Sequence, residues 1–178
     1  MEIPDTQRLT FALIGESDTQ LLFDLDQDPE VMRFINGGKP TSMEDIKNKM
    51  LPRLTSYTHP EKGWGMWKVT VKDSNAFIGW ILVRPMDYFS ESPQWKNLEL
   101  GWRFKQSSWG KGYATEAAQQ IMDSLFTEQE IDSVCAIADV DNHASTNIMK
   151  KLGMKYVKTY LHHDPLFTEE VVYYLREK

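Results

Sequence analysis

Two glycines separated by one residue, Gly110 and Gly112, stand where a predicted strand gives way to a predicted helix over Gly112–Phe126. Glycine lets the main chain come close to a ligand because it has no side chain beyond its hydrogen. The first N–H groups of a helix lack partners within the helix, and its dipole favours an anion at that end. The segment therefore predicts a site for a phosphate or a diphosphate, although a plain turn before a helix would show the same pattern.

Two nucleotide-binding motifs can be tested against the same residues. A Walker loop needs Ser or Thr directly after its Gly-Lys pair, but Lys111 is followed by Gly112. A dinucleotide fingerprint needs a third glycine, and Thr115 occupies that position. Neither motif accounts for the segment.

The elements around this segment alternate between strands and helices. Apolar and alternating runs predict strands, and Leu or Ala residues at helical spacing predict helices. Strand, helix and strand in the second half of the chain predict one parallel step in an otherwise antiparallel sheet. The predicted strands are 6–14, 64–71, 76–83, 98–104, 133–138, 154–161 and 169–175, with a loop over 85–97. The predicted helices are 18–26, 29–35, 41–57 with a capping box at Thr41 and Glu44 and a kink at Pro52, 112–126, and one from Asp141 or Asn142 to Leu152.

Length and composition bound the class of protein. A chain of 178 residues fits one domain over 1–178, and its 41% hydrophobic content is enough for a core. The single cysteine, Cys135, lies in an apolar run and predicts a buried residue in a reducing compartment. We find no secretory signal and no membrane-length apolar run, so we expect a cytoplasmic protein without a membrane partner. The net charge of -6 argues against nucleic acid and mildly favours a cationic amine.

The segment Trp109–Ala117 resembles the acetyl-CoA diphosphate loop of the GNAT superfamily of N-acetyltransferases. Gly112 and Ala114 match the family pattern, whereas Trp109 stands where Gln or Arg is usual, as is common in its RimJ/RimL-like branch. Further segments resemble that branch in the same order along the chain. They are Arg8-Leu9, Asp28–Met32, Glu99–Trp102, Asn142–Ser145 and Lys151–Met154.

This resemblance implies an α/β fold: a mostly antiparallel sheet of six to seven strands, helices on both faces, and a splay between strands 4 and 5. It also implies acetyl-CoA as cosubstrate, no metal, and a set of cofactor contacts. The edge of strand 4 would bind the pantetheine arm, and the main chain after it would hold the diphosphate. The residues concerned are Trp102, Arg103 and Phe104 for the arm, Trp109, Gly110, Lys111, Gly112, Tyr113, Ala114 and Thr115 for the diphosphate, and Asn142.

Acetyl transfer to a primary amine requires a proton acceptor, because such an amine is protonated at neutral pH. Our leading base is Glu99, acting through a water, with Asp164 as a rival and His162 and His163 as further candidates in a predicted surface loop. The leading hydrogen-bond partner for the departing sulfur is Ser145. Many GNAT enzymes have a tyrosine four residues later, where this chain has Met149.

The acceptor remains open at this stage. The branch resemblance favours the α-amine of a protein N-terminus, and a small amine such as a polyamine or an amine-bearing antibiotic is the alternative. A non-catalytic acyl-CoA sensor on the same fold is a second class of function. Tyr88 and Trp95 are candidates to line an acceptor groove, and the chain is expected to be a monomer or a homodimer.

Overall fold

One mixed sheet of seven strands organises the computed structural model, which describes residues 1 to 178. The strands are β1 (Leu9–Leu13), β2 (Gly65–Val71), β3 (Ala76–Met86), β4 (Gln94–Phe104), β5 (Ser133–Asp139), β6 (Lys155–Asp164) and β7 (Phe167–Glu177). Their order across the sheet is β1-β2-β3-β4-β5-β7-β6, and only the β4–β5 pair is parallel. The predicted mostly antiparallel sheet with one parallel step is confirmed.

Helices cover both faces of this sheet, as predicted. They are α1 (Thr19–Leu25), α2 (Pro29–Asn36), α3 (Met43–Asp45), α4 (Leu51–Tyr57), α5 (Tyr113–Glu128) and α6 (His143–Lys151). Helices α5 and α6 pack on one face through a core that includes Ile121 and Met149. Helices α1 and α4 pack on the other face through a core that includes Leu22 and Leu54. None of the helices combines the length and the apolar character needed to cross a bilayer.

The pairing between β4 and β5 is short, and this creates the predicted splay. Only three rungs join the two strands, from Asn97 opposite Ser133 to Glu99 opposite Cys135. Beyond Glu99, β4 continues beside β3 as far as Phe104, and β5 continues beside β7 as far as Asp139. The facing edges of β4 and β5 are unpaired over this stretch, so a gap opens directly after Glu99.

The helix predicted over 41–57 has a different cap from the predicted one, but it is interrupted next to Pro52, where a kink or a break was expected. Its cap is Ser42, whose hydroxyl accepts from the Asp45 amide, whereas the Thr41 hydroxyl donates to Asp26. A π-helical turn over Ile46–Met50 separates α3 from α4. Pro52 supplies the reason, because it has no N–H for the carbonyl four residues earlier and its ring crowds that carbonyl.

Two predicted loops are shorter than expected. The loop predicted over 85–97 is reduced to residues 87–93, since Met86 pairs with Gln94 after a register shift at Pro85. The predicted surface loop that holds His162, His163 and Asp164 is instead the end of β6. That strand and β7 form a long hairpin that turns at residues 165 and 166.

Candidate active site

Six consecutive main-chain amides at the start of α5 have no acceptor within the chain. They belong to residues 110–115. The nearest main-chain amides that do donate a hydrogen bond are those of Trp109 on one side and Glu116 on the other. Gly110 and Gly112 both adopt left-handed backbone, with φ of 72° and 78°. A side chain at Gly110 would meet no atom within 4 Å, so the main chain here is open to its surroundings. These amides form what we call the cradle.

The cradle is braced from the N-terminal segment by Arg8. Its guanidinium donates to the Lys111 carbonyl at 3.0 Å and to the Glu116 carboxylate at 2.7 Å, and it lies over the Tyr113 ring. Burial tends to raise the pKa of Glu116, but hydrogen bonds from Thr6 and Arg8 lower it overall. Glu116, in the first turn of α5, is therefore ionised, and Arg8 balances its negative charge.

Trp109 departs from the predicted set of main-chain donors. Its amide donates to the Gln106 carbonyl at 3.0 Å, so it is already satisfied by a tight turn. Its indole nitrogen donates to the Phe104 carbonyl at 2.9 Å, which ties the loop to the end of β4. The Lys111 ammonium donates to the Ser107 carbonyl at 2.9 Å rather than projecting over the cradle.

The three residues predicted for the pantetheine arm lie on β4 beside the gap. Alternate side chains of a strand point to opposite faces. Phe104 packs into the core under α5, whereas Arg103 crosses to the other face and pairs with Asp26 at 2.6 Å. The Trp102 indole nitrogen donates to the Ser145 hydroxyl at 3.2 Å. Two predicted site residues, one on β4 and one on α6, are therefore brought together across the splay.

Helix α6 presents Ser145 through its own cap. The Asn142 side chain accepts from the Ser145 amide at 3.1 Å, so the cap is Asn142, one of the two residues that the sequence predicted. Met149, one turn further along, is fully buried in the core and does not replace the tyrosine usual in the family.

A second feature lies on the other face of the sheet, at the closed end of the gap. It is a small, partly open cleft between the end of β3, the β3–β4 loop, β4 and the tip of the β6–β7 hairpin. It brings together Glu99, Asp164, both predicted histidines and Tyr88. Its lining residues are Arg84, Asp87, Tyr88, Phe89, Ser90, Glu99, His162, His163, Asp164 and Pro165.

Trp95 does not line this cleft. Its ring stacks on Trp64 at a centroid distance of 6.0 Å, and 57% of the residue is exposed. Of the two residues predicted as candidates to line an acceptor groove, only Tyr88 therefore lines the cleft.

Glu99 is buried, with 6% of its surface exposed, and its carboxylate accepts from Arg84 Nε at 2.8 Å. Burial alone would lower the pKa of Arg84, but the attraction and hydrogen bond of Glu99 outweigh it and raise the pKa. Arg84 therefore stays protonated beside Glu99. The other nitrogens of Arg84 make no hydrogen bond within the chain, and the residue lines the cleft.

Asp164 is paired in the same way, with Arg53 on α4. The Arg53 guanidinium also lies over the Phe89 ring at 3.6 Å, so it joins α4, the β3–β4 loop and the hairpin tip. His162 is buried, with 5% exposed, and its Nδ1 lies 3.0 Å from the Tyr160 hydroxyl. His163 is exposed and its Nδ1 lies 3.2 Å from the Thr168 hydroxyl.

Three arginines that organise the site were not predicted as functional residues. Arg84 faces Glu99 directly across the β3–β4 register, and a charged residue ending an apolar strand was a usable signal. Arg53 and Arg8 act over 111 and 108 residues of sequence separation, and no local pattern indicates them.

Comparisons with known proteins agree with this geometry. Residues 8–155 match the model of the acetyltransferase (GNAT) domain family. The uncharacterised N-acetyltransferase YnaD of Bacillus subtilis is 32% identical over 152 residues, covering 84% of this chain and 81% of that protein.

Two solved structures share the fold. The ribosomal L7/L12 α-N-protein acetyltransferase RimL in complex with coenzyme A has a TM-score of 0.76 at 17% identity, covering 99% of this chain and 98% of that one. The aminoglycoside acetyltransferase AAC(6')-Ib with coenzyme A and kanamycin has a TM-score of 0.76 at 15% identity, covering 96% and 95%. The family match spans most of the chain, which therefore belongs to the GNAT acetyltransferase family.

Proposed function

We propose that this chain transfers the acetyl group of acetyl-CoA directly to a primary amine held in the cleft. The observation that carries the proposal is the juxtaposition of the cradle, the gap and the cleft. Six free amides lie at the open end of the gap, and the cleft with Glu99 lies at its closed end. A long anionic cosubstrate in the gap would thus meet an acceptor that enters from the opposite face.

The cradle fits the diphosphate of acetyl-CoA. A run of unpartnered amides at a helix N-terminus binds phosphate oxygens, and the left-handed glycines let those oxygens approach the main chain. In this proposal the amides of residues 110–115 hold the diphosphate, and the unpaired edge of β4 from Trp102 to Phe104 binds the pantetheine arm. Asn142 contributes through the start of α6, which faces the same gap.

Ser145 supports the departing sulfur. An indole nitrogen is only a donor, so the Ser145 oxygen accepts from Trp102 and its own hydrogen remains free to donate elsewhere. A hydroxyl hydrogen directed at the sulfur would stabilise the thiolate as the carbon–sulfur bond breaks. This assigns to Ser145 the role that a tyrosine has in many relatives, since Met149 cannot donate.

Glu99 holds the amine. Its carboxylate is fixed by Arg84 at the closed end of the gap, where it can accept a hydrogen bond from the acceptor nitrogen. A buried, charged carboxylate attracts a cationic amine more strongly than an exposed one, because the surrounding dielectric is lower. Glu99 would therefore place the nitrogen in front of the thioester carbonyl, and this proximity lowers the barrier to attack.

The acceptor that we propose is the α-amine of a protein N-terminus, in keeping with the RimJ/RimL-like motifs and the RimL fold match. The cleft is small, so only the terminal amino group of such a substrate would enter it. A small amine is the second candidate. Asp87 has no salt bridge, whereas Glu99 and Asp164 are paired with arginines, so the Asp87 carboxylate favours such a cation, and AAC(6')-Ib shares the fold.

The compartment that we propose is the cytoplasm. Cys135 is fully buried, and burial raises the pKa of its thiol, so the thiol stays protonated and unreactive. A single buried thiol with no disulfide partner suits a reducing environment.

The proposal is tested by measuring thiol release from acetyl-CoA in the presence of candidate acceptors. The panel consists of short peptides that differ in their first residue, the same peptides with blocked N-termini, polyamines and an aminoglycoside. We expect release with free N-terminal peptides and none with blocked ones. Tight binding of acetyl-CoA by calorimetry without release from any acceptor would instead support a non-catalytic acyl-CoA sensor.

A further inference from the structure

A protonated amine must lose a proton before its nitrogen can attack, and a group in the cleft has to take up that proton. Each carboxylate that the sequence offered as the leading base is bound to an arginine. Glu99 is held by Arg84 and Asp164 by Arg53, and all four side chains are largely buried. In each pair one carboxylate oxygen already accepts a hydrogen bond from the arginine, so that oxygen is not free to accept the amine's proton.

His162 is placed differently from these carboxylates. It lies near the tip of the β6–β7 hairpin, lines the cleft, and is almost fully buried. No arginine or lysine pairs with it, and its only hydrogen bond joins Nδ1 to the Tyr160 hydroxyl at 3.0 Å.

The second ring nitrogen of His162, Nε2, is open to the cleft. It makes no hydrogen bond within the chain. Three buried side-chain nitrogens are sealed from solvent without a partner, namely His59 Nδ1, Trp80 Nε1 and Arg103 Nε. Because His162 Nε2 is not among them, it has an accessible surface, and His162 lines the cleft.

The contact with the Tyr160 hydroxyl allows the tautomer that a base requires, because a hydroxyl oxygen can accept a hydrogen bond. When Nδ1 carries its hydrogen and donates it to the Tyr160 oxygen, Nε2 presents a lone pair to the cleft. That contact persists after Nε2 is protonated, because an imidazolium donates from both nitrogens. Burial raises the pKa of the Tyr160 phenol, so the hydroxyl stays neutral and no phenolate competes for the proton.

We propose that His162 Nε2 takes the proton from the acceptor's ammonium group, while Glu99 holds the nitrogen in place. This inference rests on the proposed acetyl transfer. One N–H bond of the ammonium breaks and its proton passes to Nε2. The freed lone pair then forms the bond to the carbonyl carbon, and the carbon–sulfur bond breaks with its electron pair on sulfur.

The protons balance over the whole reaction. The nitrogen loses a second proton as the amide forms, and the sulfur gains one through the Ser145 hydroxyl. The imidazolium returns its proton to solvent through the open side of the cleft. One ammonium and one thioester thus yield one amide, one thiol and one released proton.

The charges that face His162 suit this role. Asp87, Glu99 and Asp164 line the same cleft, and the two arginines that face them neutralise only the last two. The third carboxylate, that of Asp87, is not paired with an arginine or a lysine, and the side-chain amide of Gln94 is its only side-chain hydrogen-bond donor. The remaining negative charge stabilises the imidazolium that forms when the proton is transferred.

The test uses chemical rescue, which a purely structural role would not show. His162→Ala should lower kcat by about 100- to 10,000-fold, the usual contribution of a general base. Added imidazole should restore part of that rate by occupying the vacated space. His162→Gln can still bond to Tyr160 but cannot take the proton, so it should lose the rate and show no rescue. Calorimetry with acetyl-CoA should give the same Kd for all three proteins.

Two outcomes would overturn the inference. One is a kcat in His162→Gln within about threefold of the parent, with thermal unfolding showing that both are folded. The other is loss and imidazole rescue in His163→Ala but not in His162→Ala, which would assign the role to the neighbouring ring. If the parent protein releases no thiol with any amine, the proposed function fails first, and this is seen before any variant is made.

Discussion

The cradle and the cleft lie at opposite ends of one gap in the sheet, but the cradle consists of main-chain groups and the cleft of side chains. The cradle is a continuous run of main-chain amides over residues 110–115, and it needs almost no particular side chain. The cleft is built from side chains of four separate segments, and two of its carboxylates are paired with arginines 15 and 111 residues away in the sequence. A main-chain site tolerates changes of side chain but not of backbone conformation, and a side-chain site shows the reverse.

This difference also separates the two halves of the chemistry. The main chain is the same in every protein, so a cradle made from it can serve one invariant cosubstrate in many relatives. If the cleft binds the acceptor as proposed, single substitutions on α4, the β3–β4 loop or the hairpin would change which acceptor it takes. This distinction would be contradicted if side-chain substitutions in the cradle had effects as large as those in the cleft.

The largest effect is expected where a buried ion pair joins the helical layer to the sheet. Asp26, at the end of α1, accepts from Arg103 on β4 at 2.6 Å and from the Thr41 hydroxyl at 2.9 Å. Asp26→Ala would leave the Arg103 guanidinium buried without its charge partner. The free energy of unfolding should fall by about 3–5 kcal/mol, as measured by urea denaturation.

The matched control is Asp24→Ala on the same helix, where the carboxylate accepts only from Gln20 at an exposed position. Its effect should stay within about 0.5 kcal/mol. Equal losses in both variants would mean that the ion pair to β4 does not hold the helical layer in place.

The next effect concerns the cleft alone. Glu99→Gln keeps the shape of the side chain but removes the charge that faces Arg84 and the acceptor. We expect kcat/KM for the amine to fall about 100-fold, or ~2.7 kcal/mol, while the Kd for acetyl-CoA is unchanged. Steady-state kinetics and calorimetry provide the two numbers. The exposed Glu170 serves as the control, since Glu170→Gln makes the same change of charge.

A parallel loss of acetyl-CoA binding in Glu99→Gln would show that cradle and cleft are not separable. A kcat/KM within twofold of the parent would remove Glu99 from the site. Either result would leave the fold assignment intact, because the family match does not depend on this residue.

A smaller effect is expected in the cradle. Here the affinity for acetyl-CoA should fall, whereas Glu99→Gln should leave it unchanged. Gly112→Val forces a branched side chain into left-handed backbone, which costs about 1–2 kcal/mol. The loop should relax away from this conformation and misalign the amides, so that acetyl-CoA binds about tenfold more weakly, or ~1.4 kcal/mol. The control is Gly15→Val, where the backbone is extended and a side chain would meet nothing within 4 Å. Unchanged binding in Gly112→Val would refute the cradle.

The same contrast explains what the sequence could reveal. The Gly-x-Gly before an Ala-rich helix is local, so the start of α5 and the position of its free amides could be predicted, whereas the turn that occupies the Trp109 amide could not. The arginine partners of Glu99 and Asp164 were missed because burial and pairing depend on which segments the fold brings together. The hairpin was mistaken for a loop after residue 161 because histidine and aspartate are weak strand formers, and their pairing with β7 decides the conformation.

The smallest effect, and the sharpest contrast with Glu99, is expected for the one charged side chain within the cradle. Lys111 is exposed and its ammonium donates to the Ser107 carbonyl, so the cradle depends on the Lys111 amide and not on its charge. Lys111→Ala should weaken acetyl-CoA binding by about twofold at most, or ~0.4 kcal/mol, which is in the range of an ordinary surface substitution. Calorimetry at low and high salt checks this, with Lys47→Ala as a control of equal charge change at another exposed position. A tenfold loss at low salt that disappears at high salt would show that the ammonium binds a phosphate directly, because salt screens exposed charges. In that case the cradle, too, would depend on a side chain.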